Sequence, residues 1–233
     1  LFPYTTLFRS SMDYRFLAEI IERKPQLFKA VLSFNKPFAA ALPPELAELG
    51  EPWAGLWSRP EFRRAWPLPD QPVQGYWNFY EESRRMALIG ADTVERLCLF
   101  FSAAVHAEEL SRVIARTQVL ELRRRLGADV VTYALKRGRY QVSGLRAPLL
   151  VPASFGALAE RIDLLARALP ALVGEGWPEE LRALAPSCFS APKGMDDAAF
   201  VPSLRREQRT ALWFTMKKLL LREVAPQWAP CFD

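Results

Sequence analysis

The sequence predicts an all-α fold, a single compact multi-helix domain with an irregular N-terminal region rich in proline and tryptophan. Apolar residues recur at intervals of three and four residues through most of the chain after residue 92, whereas the alternation typical of strands is scarce. Helix start and stop residues flank several of these periodic segments. At 233 residues, half of them hydrophobic, the chain is long enough to bury a sizeable core.

The first residues, LFPYTTLFRS, resemble the translation of a common sequencing adapter. We therefore take residues 1–11 as an artefact without ordered structure, and residues 12–233 as one helical domain. Within that domain we expect short helices and irregular structure over 12–91, central helices over 92–138 and C-terminal helices over 154–224.

The region before residue 92 begins with helical spacing and then becomes irregular. Phe16 and Ile20 share a helix face, and a second helix is expected after Pro25. Seven prolines between residues 43 and 72 prevent long helices. Because Trp53, Trp57, Trp66 and Trp77 fall in the same region, we expect irregular structure packed on the helical body rather than a disordered linker.

Residues 92–138 predict four short helices in succession. Asp92 is the expected cap of the first helix, and Glu95 completes a capping pair with it. Gly127 is expected to end the third helix. Asp129 is the expected cap of the fourth helix, and Gly138 lies just beyond the end of that helix. The apolar faces of the first three helices are expected to point inward; they are Leu97, Phe100, Phe101, Ala104 and Val105, then Leu110, Val113 and Ile114, then Val119, Leu122 and Leu126.

Three further helices are expected in the C-terminal third. Ser154 caps a helix whose seam is Leu158, Ile162, Leu165 and Leu169, and Pro170 ends it. A shorter helix begins at Pro178, with Leu181 and Leu184 facing inward. After a loop over 185–202, the last helix spans about 203–224, with Leu212, Met216, Leu219 and Leu220 inward.

Composition excludes several classes of protein. The formal charge of +5 is spread thinly along the chain, whereas a nucleic-acid module concentrates its basic residues. The longest apolar run is five residues against the roughly 20 that a membrane span requires, so we expect a soluble protein. Three widely spaced cysteines without a CxxC pattern indicate a reducing cytoplasm, with neither a disulfide framework nor a zinc site.

The residues suited to catalysis are few. His106 is the single histidine, and Cys98 lies eight residues earlier on the same expected helix, about 12 Å away along its axis. The acidic pairs are adjacent residues, and no phosphate-binding or dinucleotide-binding glycine motif occurs. We therefore interpret His106 as an ordinary helix-end histidine and expect no enzyme activity, no cofactor and no metal.

The best candidates for partner contact are basic residues, Arg123, Arg124, Arg125, Lys136 and Arg137. Three interpretations are open: a solvated helix face beside Leu122 and Leu126, a docking surface for an acidic protein, or phosphate contacts. Exposed tryptophans would be comparable anchors, although a core role is favoured for them.

A family resemblance adds to this reading. The segment ERLCLFFSAAVHAEELSRVIARTQVLELRRRLGADVVTYALKRG, together with FNKPFAAALPPEL and LLLREVAPQWAPCF, resembles the cytosolic K protein of bacterial type III secretion systems. The resemblance implies a non-enzymatic adaptor of the injectisome's sorting platform, linking the forkhead-associated-like cytoplasmic domain of an inner-membrane ring protein to the pod protein. It implies a cytoplasmic protein, peripheral to the inner membrane through its partners, and no nucleic acid.

Two other functions stay open from the sequence. The stretch ELSRVIARTQVLELRRRLG can be read as a helix-turn-helix of a nucleic-acid-binding regulator, with Arg123 to Arg125 on the second helix, although the turn lacks a glycine. A small helical enzyme using His106 is the third possibility.

Overall fold

A computed structural model describes residues 16, 19–20, 23–35, 76–189, 200 and 202–232. All regular structure within these ranges is helical and no strand occurs there, which confirms the all-α prediction. Residues 1–11 and most of the expected proline- and tryptophan-rich region, residues 36–75, lie outside the described residues.

Ten α-helices have their bounds within the described ranges: α1 Pro25–Phe34, α2 Ala91–Val105, α3 Ala107–Ser111, α4 Arg116–Leu126, α5 Ala128–Tyr133, α6 Arg139–Gln141, α7 Ser143–Leu149, α8 Leu158–Gly174, α9 Glu179–Leu184 and α10 Arg206–Leu219. Two π-helical turns, which we call π1 and π2, follow α5 and α10 at Ala134–Gly138 and Leu220–Val224. Short 3₁₀ helices occupy Glu82–Leu88, Ala153–Phe155, Ser187–Phe189 and Pro226–Cys231.

The chain divides into two compact units. The first contains α1, the 3₁₀ helix Glu82–Leu88, α9 and the end of the chain from Ala229. The second spans Ile89–Trp177 and Pro186–Trp228, and so holds α2 to α8, α10 and both π turns. The domain boundaries expected from the sequence stay a prediction.

In the first unit, two buried polar side chains tie distant backbone segments together. Asn35, just after α1, donates from Nδ2 to the Tyr76 carbonyl at 2.9 Å, and its Oδ1 accepts from the Tyr76 N–H at 2.8 Å. Arg85 donates to the carbonyls of Phe79 at 3.0 Å and Cys231 at 3.1 Å. These two buried side chains therefore have hydrogen-bond partners, as polar groups in a stable interior usually do.

The second unit is built around α2. Its C-terminal half is buried on all sides, among others at Phe100, Phe101 and Ala104, and α8, α5, α10 and π1 pack against this helix. A helical segment that is apolar all round belongs in a core. The Ser102 hydroxyl, buried on the same helix, donates to the Ile162 carbonyl of α8 at 2.6 Å.

Most of the predicted helices are confirmed, but three of the predicted caps are wrong. The first helix begins at Ala91 after extended Gly90, so Asp92 lies inside its first turn. There its carboxylate favours the positive end of the helix dipole without bonding the backbone as a cap. Asp129 likewise lies within the first turn of α5, and Ser154 lies in a 3₁₀ turn while Ala157 precedes α8.

Two predicted helix ends are also wrong. Helix α8 continues through buried Pro170 to Gly174, because packing of Leu169 and Leu172 in the core offsets the hydrogen bond that the proline removes. Gly138 does not end a helix either. It closes π1, and the chain continues directly into α6.

Other predicted features are confirmed. Gly127 ends α4 with a φ of 100°, a conformation that favours glycine. Ile162, Leu165 and Leu169 are fully buried, as are the four residues of the last helix predicted to face inward. Leu181 of α9 is buried, whereas Leu184 is exposed, contrary to expectation.

Candidate interaction surface

Helix α4 lies at the surface of the second unit and is held along one side only. It packs against α5 and α8, and Leu126 is its single fully buried residue. Val119 and Leu122, predicted to face inward with Leu126, are half-buried. The rest of the helix is open to solvent, so its outer side chains are available to a partner.

Two large apolar residues are exposed at this helix. Ile114 is 90% exposed and Leu120 is 56% exposed. The prediction that Ile114 faces inward is wrong, because residues 113–115 are not helical and the helical spacing that places Leu110 in the core does not continue through them. Arginines are enriched in protein-binding hot spots, and exposed apolar side chains near them can pack on a partner.

The three predicted arginines differ in their partners. Arg124 donates two hydrogen bonds to Glu121, from Nε at 2.9 Å and from a terminal nitrogen at 2.7 Å. These bonds lower the pKa of Glu121 and raise that of Arg124. Arg125 reaches α8, where it pairs with Asp163 at 2.8 Å. Arg123 is exposed and forms no ion pair within the described part of the chain.

Arg116 is a site residue that the sequence analysis missed. It is exposed, has no ion pair among residues whose contacts are described, and precedes Leu120 by four positions. Arg123 and Arg124 follow Leu120 by three and four positions, which on a helix places them beside it. We call the exposed set Ile114, Arg116, Leu120, Arg123 and Arg124 the α4 surface.

The other two predicted residues lie on π1. Lys136 is exposed, and Arg137 pairs with Glu223 of π2 at 2.8 Å. Burial, followed by the charge of Glu223, raises the pKa of Tyr133 to about 12. The five predicted residues therefore form two sets, one on each element.

His106 lies between α2 and α3, at a helix end as the sequence indicated, and is fully buried. Its Nδ1–H donates to the Ser102 carbonyl at 2.9 Å, and burial lowers its pKa. Nearby, a hydrogen bond from Arg161 lowers the pKa of Glu109. Among the described residues no hydroxyl or thiol bonds to the His106 ring. This arrangement can hold a neutral imidazole in the core.

All three cysteines are free. Burial raises the pKa of each thiol, most strongly for Cys98. The described residues include no cluster of three or more histidine, cysteine or acidic side chains placed to hold a metal ion. They also include no helix that is both long and apolar enough to span a membrane. Comparison of the chain with protein-family models, curated proteins and solved structures found no match.

Proposed function

We propose that this protein is a non-enzymatic adaptor that binds other proteins through exposed helical surfaces. On the strength of the sequence resemblance, we assign it to the cytosolic sorting platform of a bacterial type III secretion system. There it would link the forkhead-associated-like domain of the inner-membrane ring protein to the pod protein. Its place at the inner membrane would come from these partners.

The observation that carries the adaptor proposal is the α4 surface. Leu120 is more than half exposed on a regular helix, with three arginines beside it in the helix geometry. An apolar side chain kept in water contributes little to folding, whereas arginines are enriched in protein-binding hot spots and the apolar side chain among them offers a partner a packing contact. Lys136 and Arg137 on π1 offer a second contact surface, and a protein that links two partners needs two such surfaces.

The charge distribution favours a protein partner over nucleic acid. Two of the three consecutive arginines are paired with carboxylates, Arg124 with Glu121 and Arg125 with Asp163. Few cations are therefore left free on this helix, whereas a phosphate backbone draws its affinity from many of them. For His106, complete burial favours a role in the core over catalysis.

The test is co-purification of the full chain with the ring-protein domain and the pod protein from the genome that encodes it, all three expressed together. We expect both partners to be retained. Charge reversal of Arg123 and Arg124 should reduce retention of one partner, and reversal of Lys136 and Arg137 should reduce retention of one partner as well.

A matched control is the double reversal of Arg182 and Arg206, which are exposed on α9 and α10. The control should retain both partners at the level of the unmodified chain. If neither partner is retained by the unmodified chain, the assignment to the sorting platform is wrong.

A further inference from the structure

We infer that the α4 surface binds an acidic amphipathic helix of a partner protein, with Leu120 packed on the apolar stripe of that helix and Arg116 and Arg123 paired with its carboxylates. This inference rests on the proposed adaptor function and adds the chemistry of the partner. It also adds Ile114, Arg116 and Leu120 to the partner-contact residues, although no motif in the sequence had indicated them.

The charge of the surface favours an acidic partner. Between residues 111 and 126 there are five arginines and one acidic residue, Glu121, which already accepts two hydrogen bonds from Arg124. Arg116 and Arg123 have no ion pair within the described ranges and lie on either side of Leu120 along the helix. Carboxylates of a partner would supply the counter-charges, and rim charges of this kind speed association and exclude basic partners.

The shape of the surface favours a helix. The exposed side of α4 is the convex face of a regular helix of 11 residues, and a single leucine occupies its middle. Two helices pack by placing such a side chain between side chains of the opposite helix, with the two helix axes about 8–10 Å apart. A partner helix with carboxylates on both sides of an apolar stripe would meet Leu120 and the two arginines together.

The same residues fit a membrane or a duplex less well. A helix that lies in a lipid interface presents a continuous apolar face, whereas α4 exposes Leu120 among charged side chains, with Glu121 beside it. A nucleic-acid backbone would have no apolar contact to offer Leu120 and Ile114.

The experiment measures binding of a fluorescent synthetic helix, with leucine along one stripe and glutamate on the remaining positions, to the full chain. A second peptide carries lysine in place of each glutamate. Vesicles of phosphatidylglycerol and phosphatidylcholine, and a DNA duplex, are tested beside them. The variants are Leu120→Ser and the double change Arg116→Glu with Arg123→Glu.

Matched controls change the same residue types elsewhere. Phe214→Ser removes another exposed apolar side chain, on α10, and Arg182→Glu with Arg206→Glu reverses two exposed arginines. All these positions are exposed, so urea unfolding should show each variant to be folded, with stability changes within about 0.5 kcal/mol.

We expect the glutamate peptide to bind and the lysine peptide not to bind. Each α4 variant should weaken binding about tenfold or more, and each control should stay within about twofold. Equal weakening in variants and controls would overturn the inference, as would failure of the glutamate peptide to bind. Binding of vesicles or DNA through the α4 residues, without binding of the glutamate peptide, would also overturn it and identify the other ligand.

The two proposals fail in different ways. If the ring-protein domain and pod protein co-purify equally with the unmodified chain and with both α4 variants, the adaptor function stands and the α4 inference is wrong. If the glutamate peptide binds through α4 but neither secretion protein co-purifies, the surface stands and the assignment to the sorting platform fails.

Discussion

Replacement of Gly138 by alanine tests the close approach of π1 to α2. The backbone of Gly138 is ordinary right-handed helix, with φ of −57° and ψ of −44°, so alanine suits its conformation. By helix propensity alone the change would stabilise the protein by about 1 kcal/mol. Sterically it is unfavourable, because an added Cβ would lie 2.6 Å from the Ala104 Cβ and 3.3 Å from the Ala104 Cα.

The steric effect should exceed the gain in propensity. Ordinary contact for such atoms begins at 3.4 Å, so π1 and α2 would have to separate by nearly an ångström. Ala104 is buried and has no rotamer that could move its Cβ away. Overpacking costs about 1–3 kcal/mol, and an overlap this large against atoms that no rotamer can move belongs to the upper part of that range, about 2–3 kcal/mol. Less the propensity gain of about 1 kcal/mol, this leaves a net destabilisation of about 1–2 kcal/mol. For a chain of this size the melting temperature would fall by about 2–8 °C.

Gly144→Ala is the matched control, since Gly144 lies in α7 and an added Cβ there meets nothing within 4 Å. Alanine in place of glycine stabilises a helix by up to about 1 kcal/mol, so this variant should leave the melting temperature unchanged or raise it by a few degrees. Adding Ala104→Gly to Gly138→Ala should restore part of the lost stability. The reasoning is refuted if thermal unfolding finds Gly138→Ala as stable as Gly144→Ala.

Three more outcomes follow from buried groups. Because burial lowers the pKa of His106, the unfolded chain binds a proton at this histidine more tightly than the folded chain does. Stability measured by urea titration should therefore fall as the pH drops from about 7.5 to about 5.5, and His106→Gln should reduce that fall. Arg161→Ala should destabilise by about 3 kcal/mol, since it leaves the Glu109 carboxylate without its partner, and changing both residues to methionine should cost less by the same measurement. A thiol reagent added to the native protein should modify half-buried Cys188 well before Cys98, and equal rates would contradict the burial of Cys98.

Helix existence could be predicted from the sequence, but several helix ends could not. Four successive helices between residues 91 and 133 could be predicted from apolar spacing and from the helix end at Gly127. Both signals depend on the local sequence alone. The caps expected at Asp92 and Asp129 failed because the same residue types also favour the first helical turn. Pro170 and Gly138 failed as stop signals because their consequences depend on neighbours distant in the sequence, as the contact of Gly138 with Ala104 illustrates.

The candidate surface was predictable in part. A run of three arginines marked α4 as a possible contact element, yet the sequence could not distinguish Arg123 from Arg125, whose partner Asp163 comes from another helix. Leu120 was missed because an apolar residue is expected inside, and its exposure follows from which side of α4 meets α5 and α8. Single exposed apolar residues carry no sequence signal of their own.

The hydrogen bonds between Asn35 and Tyr76 also close a long loop of the chain. Because the Tyr76 N–H and carbonyl both bond to the Asn35 side chain, two residues 41 positions apart in the sequence are held together. The entropic cost of closing such a loop rises slowly with its length, by about 0.6 kcal/mol for each doubling. A longer connection between these two residues would therefore cost the first unit little stability.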